Sequence, residues 1–205
     1  MYSKRSGLVL GFHGCDEDVA KRILNKQDNL CPSHNLYDWL GPGIYFWENS
    51  PARAYEFAES LRRNPLKNKN PIISPSVIGA IIDLGNCLDL LEYGMLQVLK
   101  TGYNILESAI RKTGKEMPKN KHGKDTDELL LRFLDCYVIK MIHEMRHNNK
   151  DLPFDSIRSV FFEGNELYPG SGFKEKNHIQ ICICNPNCIK GYFLPRDLNS
   201  KYPKV

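Results

Sequence analysis

The hexapeptide Gly41-Pro42-Gly43-Ile44-Tyr45-Phe46 constrains the architecture of this chain more than any other stretch. Two glycines around a proline make a turn. The Ile-Tyr-Phe run that leaves it has strand periodicity, so Tyr45 faces opposite to Ile44 and Phe46. Asn49 or Ser50 then caps a helix with Pro51 just inside its start, and Ala54, Phe57, Ala58 and Leu61 form its apolar face. Upstream, Leu8 to Phe12 is an apolar run able to cross a core as a strand, with His13-Gly14 where that strand would emerge.

The residue types at these junctions suit one kind of ligand. An imidazole at His13 can donate to a ribose hydroxyl, and Gly14 lets the backbone approach a flat amide. The face of Tyr45 is a stacking surface for a nicotinamide ring, more so in its cationic form. Together they read as a cradle for NAD.

The segment from Val9 to Ala58 resembles the N-terminal half of an ADP-ribosyltransferase catalytic domain of the poly(ADP-ribose) polymerase and diphtheria-toxin type. The resemblance implies that His13 holds the adenosine-side ribose hydroxyl. It also implies that the Gly14 main chain bonds the nicotinamide amide, with Gly43 in the same cradle and Tyr45 stacked on the ring. The family's helix serine falls here on Arg53. Its second stacking tyrosine falls on Glu56, leaving Tyr55 or Phe57 to substitute. The fold implied is α+β, an ADP-ribosyltransferase-like split mixed β-sheet with flanking helices. Residues 1–205 would form one domain, with a helical insert at about 86–150.

That family also carries a glutamate at the start of a late strand, behind a substrate-facing loop. The corresponding stretch is His178-Ile179-Gln180, and strand alternation puts His178 and Gln180 on one face. Gln180 thus stands at the glutamate position. Cleaving the nicotinamide–ribose bond develops positive charge on the sugar, and preorganised electrostatic stabilisation of such charge is worth roughly 3–4 kcal/mol. Glutamine can hydrogen-bond the ribose but supplies no charge. Either the set is His13, Tyr45 and Gln180, or a loop carboxylate (Glu163, Glu166 or Glu175) reaches in, or NAD binds without turnover. The missing glutamate argues for single transfer over chain elongation.

With 205 residues, 41% hydrophobic and 25% charged, the chain can bury one sizeable core. No run approaches the roughly eighteen apolar residues of a membrane span, and no signal-peptide core follows Met1, so a cytoplasmic protein without membrane partners is expected. Seven scattered cysteines are read as free thiols. Cys182, Cys184, Cys188 and His178 lack the tight ligand pairs of structural zinc, so no metal is expected.

The net charge of +4 concentrates in two tracts, Arg62 to Lys69 and Lys112 to Lys124. They are either solvated loops or a basic rim for an anionic acceptor. Tyr168 and Phe173, with His178, are the candidate target-facing residues, able to stack on a base or pack on a protein. The acceptor expected is a macromolecule, protein or nucleic acid. In a toxin or defence effector an inhibitor or antitoxin protein would accompany it. The alternatives are a catalytically silent NAD- or ADP-ribose-binding module and a basic nucleic-acid-binding domain.

Between the two halves, Val77 to Asp83 reads as a strand and Gly85-Asn86-Cys87 as a turn. One helix is expected from Asp89 toward Leu99 and another over Tyr103 to Thr113, followed by an exposed loop, Lys115 to Asp125. Asp127 would cap a helix running from Glu128 to Arg146. Strands follow at Ser156 to Phe162, His178 to Cys184 and Ile189 to Leu194, with a turn at Asn185 to Cys188.

Overall fold

A computed structural model describes residues 7–65, 71–124, 126–197 and 199–203. Seven strands form one mixed sheet: β1 (Val9–Asp16), β2 (Ile44–Glu48), β3 (Pro75–Ile82), β4 (Cys87–Asp89), β5 (Ser156–Phe161), β6 (His178–Ile183) and β7 (Ile189–Phe193). Their spatial order is β4-β5-β6-β2-β1-β3-β7, with β4 and β5 parallel and the other neighbours antiparallel. Helices α1 (Glu17–Leu24), α2 (Pro51–Arg63), α3 (Tyr93–Thr113) and α4 (Phe133–Asn148) flank it. The fold is thus α+β around a mixed sheet. No helix among the described residues is long and apolar enough to cross a membrane.

Strand alternation divides the core. Ile44, Phe46, Ile78, Ile82, Ile181 and Ile183 pack on one face of the sheet with Ala20 and Ile23 of α1. On the other, Leu40, Leu88, Ile157 and Cys182 meet Leu106 of α3 and Val138, Ile139 and Ile142 of α4. Phe12, Trp47 and Ala54 form a smaller cluster under α2.

The sheet is nearly cut between β1 and β2. The β1–β3 ladder runs from Val9↔Ile82 to Asp16↔Pro75, whereas β1 and β2 share only Gly11↔Glu48 and Phe12↔Trp47. Strand β1 therefore continues beyond Phe12, and His13-Gly14 lies inside it. The expected exit after Phe12 is corrected because β3 supplies a partner as far as Asp16.

Other boundaries shift for local reasons. Asp16 accepts from Asp18 N at 3.0 Å and caps α1, an unanticipated helix. Cys87 opens β4 rather than closing a turn, because β5 offers a parallel partner. The two helices expected over Asp89–Thr113 are one, α3, which passes through Gly102 where a Cβ would lie 2.5 Å from Ile142 Cγ1. Helix α4 starts at Phe133, not at Glu128: Leu131 instead pairs with Lys121, and Glu128 bonds Lys174 at 2.9 Å. The basic tract Arg62 to Lys69 is described only as far as residue 65, so Lys67 and Lys69 lie outside the described residues.

Candidate active site

The split in the sheet has a chemical cause. At the start of α1, Glu17 N donates to Ser74 O at 2.8 Å, which fixes the phase of the β1–β3 ladder. Odd residues of β1 bond to β3, and even residues turn their N–H and C=O toward β2. Asn49 N, donating to Leu10 O at 2.9 Å, agrees with that phase. The next β1–β2 bond would run from Gly14 N–H to the Tyr45 carbonyl. His13 takes that carbonyl instead, donating from Nδ1 at 2.8 Å. The ladder stops there, and the N–H of the buried Gly14 faces the gap without a ladder partner. A buried main-chain donor left unpaired is rare and costly.

The same bond sets the tautomer of His13. A carbonyl only accepts, so the proton sits on Nδ1, and burial holds the imidazole pKa below its usual value. The neutral ring then offers Nε2 as an acceptor. A ribose hydroxyl would donate to His13, the reverse of the sequence expectation.

Tyr45 leaves the sheet on the other face. His13 lies against Phe46, with ring centroids 5.8 Å apart, whereas the Tyr45 ring packs on the α3/α4 side. Its hydroxyl donates to Gly41 O at 2.8 Å and accepts from Leu40 N at 3.1 Å, clamping the turn that precedes β2. Gly43 is required by the close approach of β6, since a Cβ would lie 2.5 Å from Cys182 Sγ and 2.7 Å from Ile183 O. Gly14 is required by α2, whose Ala54 carbonyl oxygen would lie 2.0 Å from an added Cβ.

A second group of residues gathers where β6 begins. Gln180 is in register with Trp47 on one side and Ser159 on the other, and its Oε1 accepts from Trp39 Nε1 at 2.6 Å. His178 shares that face, with its ring centroid 6.0 Å from that of Trp47 and 5.5 Å from that of Phe161. It donates from Nδ1 to Lys176 O at 2.6 Å. Its Nε2 and the Trp47 indole N–H are both buried without a partner among the described residues. Burial holds the His178 pKa low as well.

Phe57 stacks on Trp47 at 5.0 Å, while Tyr55 points away, its hydroxyl 3.5 Å from Glu59. Of the two aromatics flanking Glu56, Phe57 is the one at the site. Arg53 pairs with Glu56 on its own helix and reaches across from α2 to Glu163 at 3.0 Å. Burial raises the Glu163 pKa, with Arg53 opposing it. Glu166 accepts from Gly170 N at 2.9 Å and Glu175 from Asn165 N at 3.3 Å, so both are held within their own loop. Glu163 is the loop acid that Arg53 of α2 holds. Tyr168 and Phe173 lie exposed on the same loop, clear of these contacts.

Trp39, Trp47, Arg132 and Phe161 are not singled out by any sequence motif. Trp39 and Phe161 are 4.7 Å apart, with the Arg132 guanidinium over Phe161 at 5.3 Å. Their proximity depends on strand register, which short motifs do not encode. Cys182 and Cys184 lie on the Tyr45 side, as alternation requires, and Cys184 Sγ is 4.0 Å from His143 Nε2. Sharing a hydrogen bond with Cys182, helped by His143, lowers the Cys184 pKa, while burial raises that of Cys182. All seven thiols are free, and no three His, Cys, Asp or Glu side chains converge as for a metal among the described residues.

No protein-family model matches the chain, and no solved structure matches it. An uncharacterized protein of the archaeon Methanocaldococcus jannaschii, MJ0359, is similar at 26% identity over 199 residues, spanning 87% of this chain and 83% of the relative.

The two histidines predict a pH dependence of folding. Each folded-state pKa lies below the usual value, so on acidification the unfolded chain takes up protons first. Their contribution is complete above about pH 6.5 and is lost as the pH falls through their lowered values, each tenfold loss of proton affinity on folding being worth about 1.4 kcal/mol. The urea midpoint should fall between about pH 7.5 and 5.5, and fall less in His178→Gln. An unchanged midpoint would contradict the neutral, buried imidazoles.

Proposed function

We propose that the chain is a mono-ADP-ribosyltransferase that binds NAD, breaks its nicotinamide–ribose bond and passes ADP-ribose to a macromolecular acceptor, protein or nucleic acid. The observation that carries this reading is the gap that His13 opens between β1 and β2, where the Gly14 N–H has no ladder partner among the described residues. A primary carboxamide supplies the acceptor that this N–H lacks, and the neutral His13 beside it suits a hydroxyl donor. Strands β1, β2 and β6, which carry His13, Tyr45 and Gln180, are neighbours in the sheet, and this adjacency supports the reading.

The division of labour follows from the bonds each residue already makes. Gln180 has spent one lone pair on Trp39 and offers its NH2 group. The Tyr45 hydroxyl holds the preceding turn while its ring packs on the α3/α4 side, so Tyr45 contributes by fixing the turn that leads into β2. Glu163, steadied by Arg53 and not bonded within its own loop as Glu166 and Glu175 are, is the loop carboxylate assigned to supply charge to the developing sugar cation. With no carboxylate on the strand itself, one transfer per acceptor is expected.

The Trp39–Gln180 bond favours a second reading, a module that binds NAD or ADP-ribose without turnover. Adenylate-labelled NAD, incubated with protein and nucleic-acid acceptors, separates the two. Label transfer with nicotinamide release should fall about 100-fold or more in His13→Ala. If Glu163 supplies the charge, Glu163→Gln should cost more than Gln180→Ala. Calorimetric NAD binding with neither transfer nor nicotinamide release would establish the silent module. No NAD binding at all would refute both.

A further inference from the structure

Between α3, α4 and the sheet lies a cavity of about 430 Å³, away from the β1–β2 gap. Such a volume is typical of small-molecule sites, which combine apolar walls with a few polar groups. Leu90, Leu99, Leu134 and Val138 supply the walls. Three polar groups converge on it. Ser159 is 8% exposed, and among the described residues its hydroxyl reaches only the Val160 carbonyl, at 3.5 Å. That is long for an O–H···O bond, so a buried hydroxyl is left under-satisfied. Arg132 holds Asp135 at 3.4 Å while its Nε is buried without a partner among the described residues. Lys100 stands at the rim and makes no ion pair among the described residues.

One carboxylate, Asp135, faces two cations, so the lining is net positive as well as apolar. We infer that this cavity binds a small amphipathic anion, an aromatic or medium-chain aliphatic carboxylate, with its tail among the leucines and its charged head toward Lys100, Arg132 and Ser159. The occupant would touch Trp39, which lines the cavity and donates to Gln180. It would therefore bear on the orientation of the Gln180 amide from behind.

Decanoate and 2-naphthoate are the probes, with decylamine and decanol as comparators of matched apolar size. Calorimetry should show saturable binding of the two anions, at least tenfold tighter than either comparator. Trp39 and Trp47 are the two tryptophans in the chain. Binding should change the fluorescence of Trp47→Phe, where Trp39 reports, and leave that of Trp39→Phe unchanged. Val138→Phe, which fills the cavity, should abolish binding, and Lys100→Glu at the exposed rim should weaken it at least tenfold. The absence of saturable binding overturns the site, as does equal affinity for decylamine. Undiminished binding by both variants with native circular dichroism would also overturn it. None of these measurements involves NAD, so their failure would leave the transferase reading untouched.

Discussion

Replacing Arg158 with methionine is expected to cost about 3–5 kcal/mol of stability, the largest single effect in the molecule. Arg158 on β5 donates from Nη2 to Glu48 of β2 at 3.0 Å and from Nη1 to both oxygens of Asp89 of β4 at 3.2 Å. Its side chain is 4% exposed, and those of Glu48 and Asp89 are 6% and 16% exposed. Removing the guanidinium takes away the cation that balances two buried carboxylates, which is far costlier than never having buried them. Urea denaturation should show the loss directly. Adding Glu48→Gln and Asp89→Asn to Arg158→Met should restore much of it, because the stranded charges are then gone. A loss under about 1 kcal/mol, the worth of a surface pair, would show that the three groups do not act as a buried triad.

Gly14→Ala should cost about 3 kcal/mol, the upper end for forcing a methyl group into packed space. The new Cβ would meet the Ala54 carbonyl oxygen at 2.0 Å and the Ala58 Cβ at 3.2 Å. These belong to the helix itself and not to a side chain that can swing aside, so α2 must move. Since α2 carries Arg53 and Phe57, NAD affinity should fall together with stability. Gly191→Ala is the control: an added methyl there meets nothing within 4 Å and should change stability by no more than about 0.5 kcal/mol. Equal effects at the two positions would mean that α2 does not press on β1.

Residues whose environment is local are legible in the sequence. The glycine-proline turn, the alternation through Ile44-Tyr45-Phe46, the Pro51 start of α2 and the shared face of His178 and Gln180 all follow from short-range pattern. Helix α1 also has a local signal, in the Asp16 cap and the spacing of Val19, Ala20 and Ile23, although eight residues make it a short one. Features that depend on distant partners carry no such signal. Strand β1 extends past His13 because β3 pairs with it, and α3 tolerates Gly102 because Ile142 fills the space.

The site divides along the same line. His13 and Gly14 are identifiable as a motif. That His13 takes the Tyr45 carbonyl, and so orphans the Gly14 N–H, depends on a contact 32 residues apart. The selection of Glu163 over Glu166 and Glu175 depends on Arg53, 110 residues away, in the helix position that the resemblance gives to serine. The aromatic group of Trp39, Trp47, Phe57 and Phe161 joins four separate segments, and no short motif encodes it.

The central claim is that the gap between β1 and β2 holds the nicotinamide end of NAD. A crystal structure with NAD or nicotinamide bound tests it most directly. The predicted result is the carboxamide oxygen within about 3 Å of the Gly14 nitrogen, with a ribose hydroxyl of NAD at His13 Nε2. Nicotinamide bound elsewhere, or a Gly14 N–H still without a ligand at saturating NAD, would contradict it.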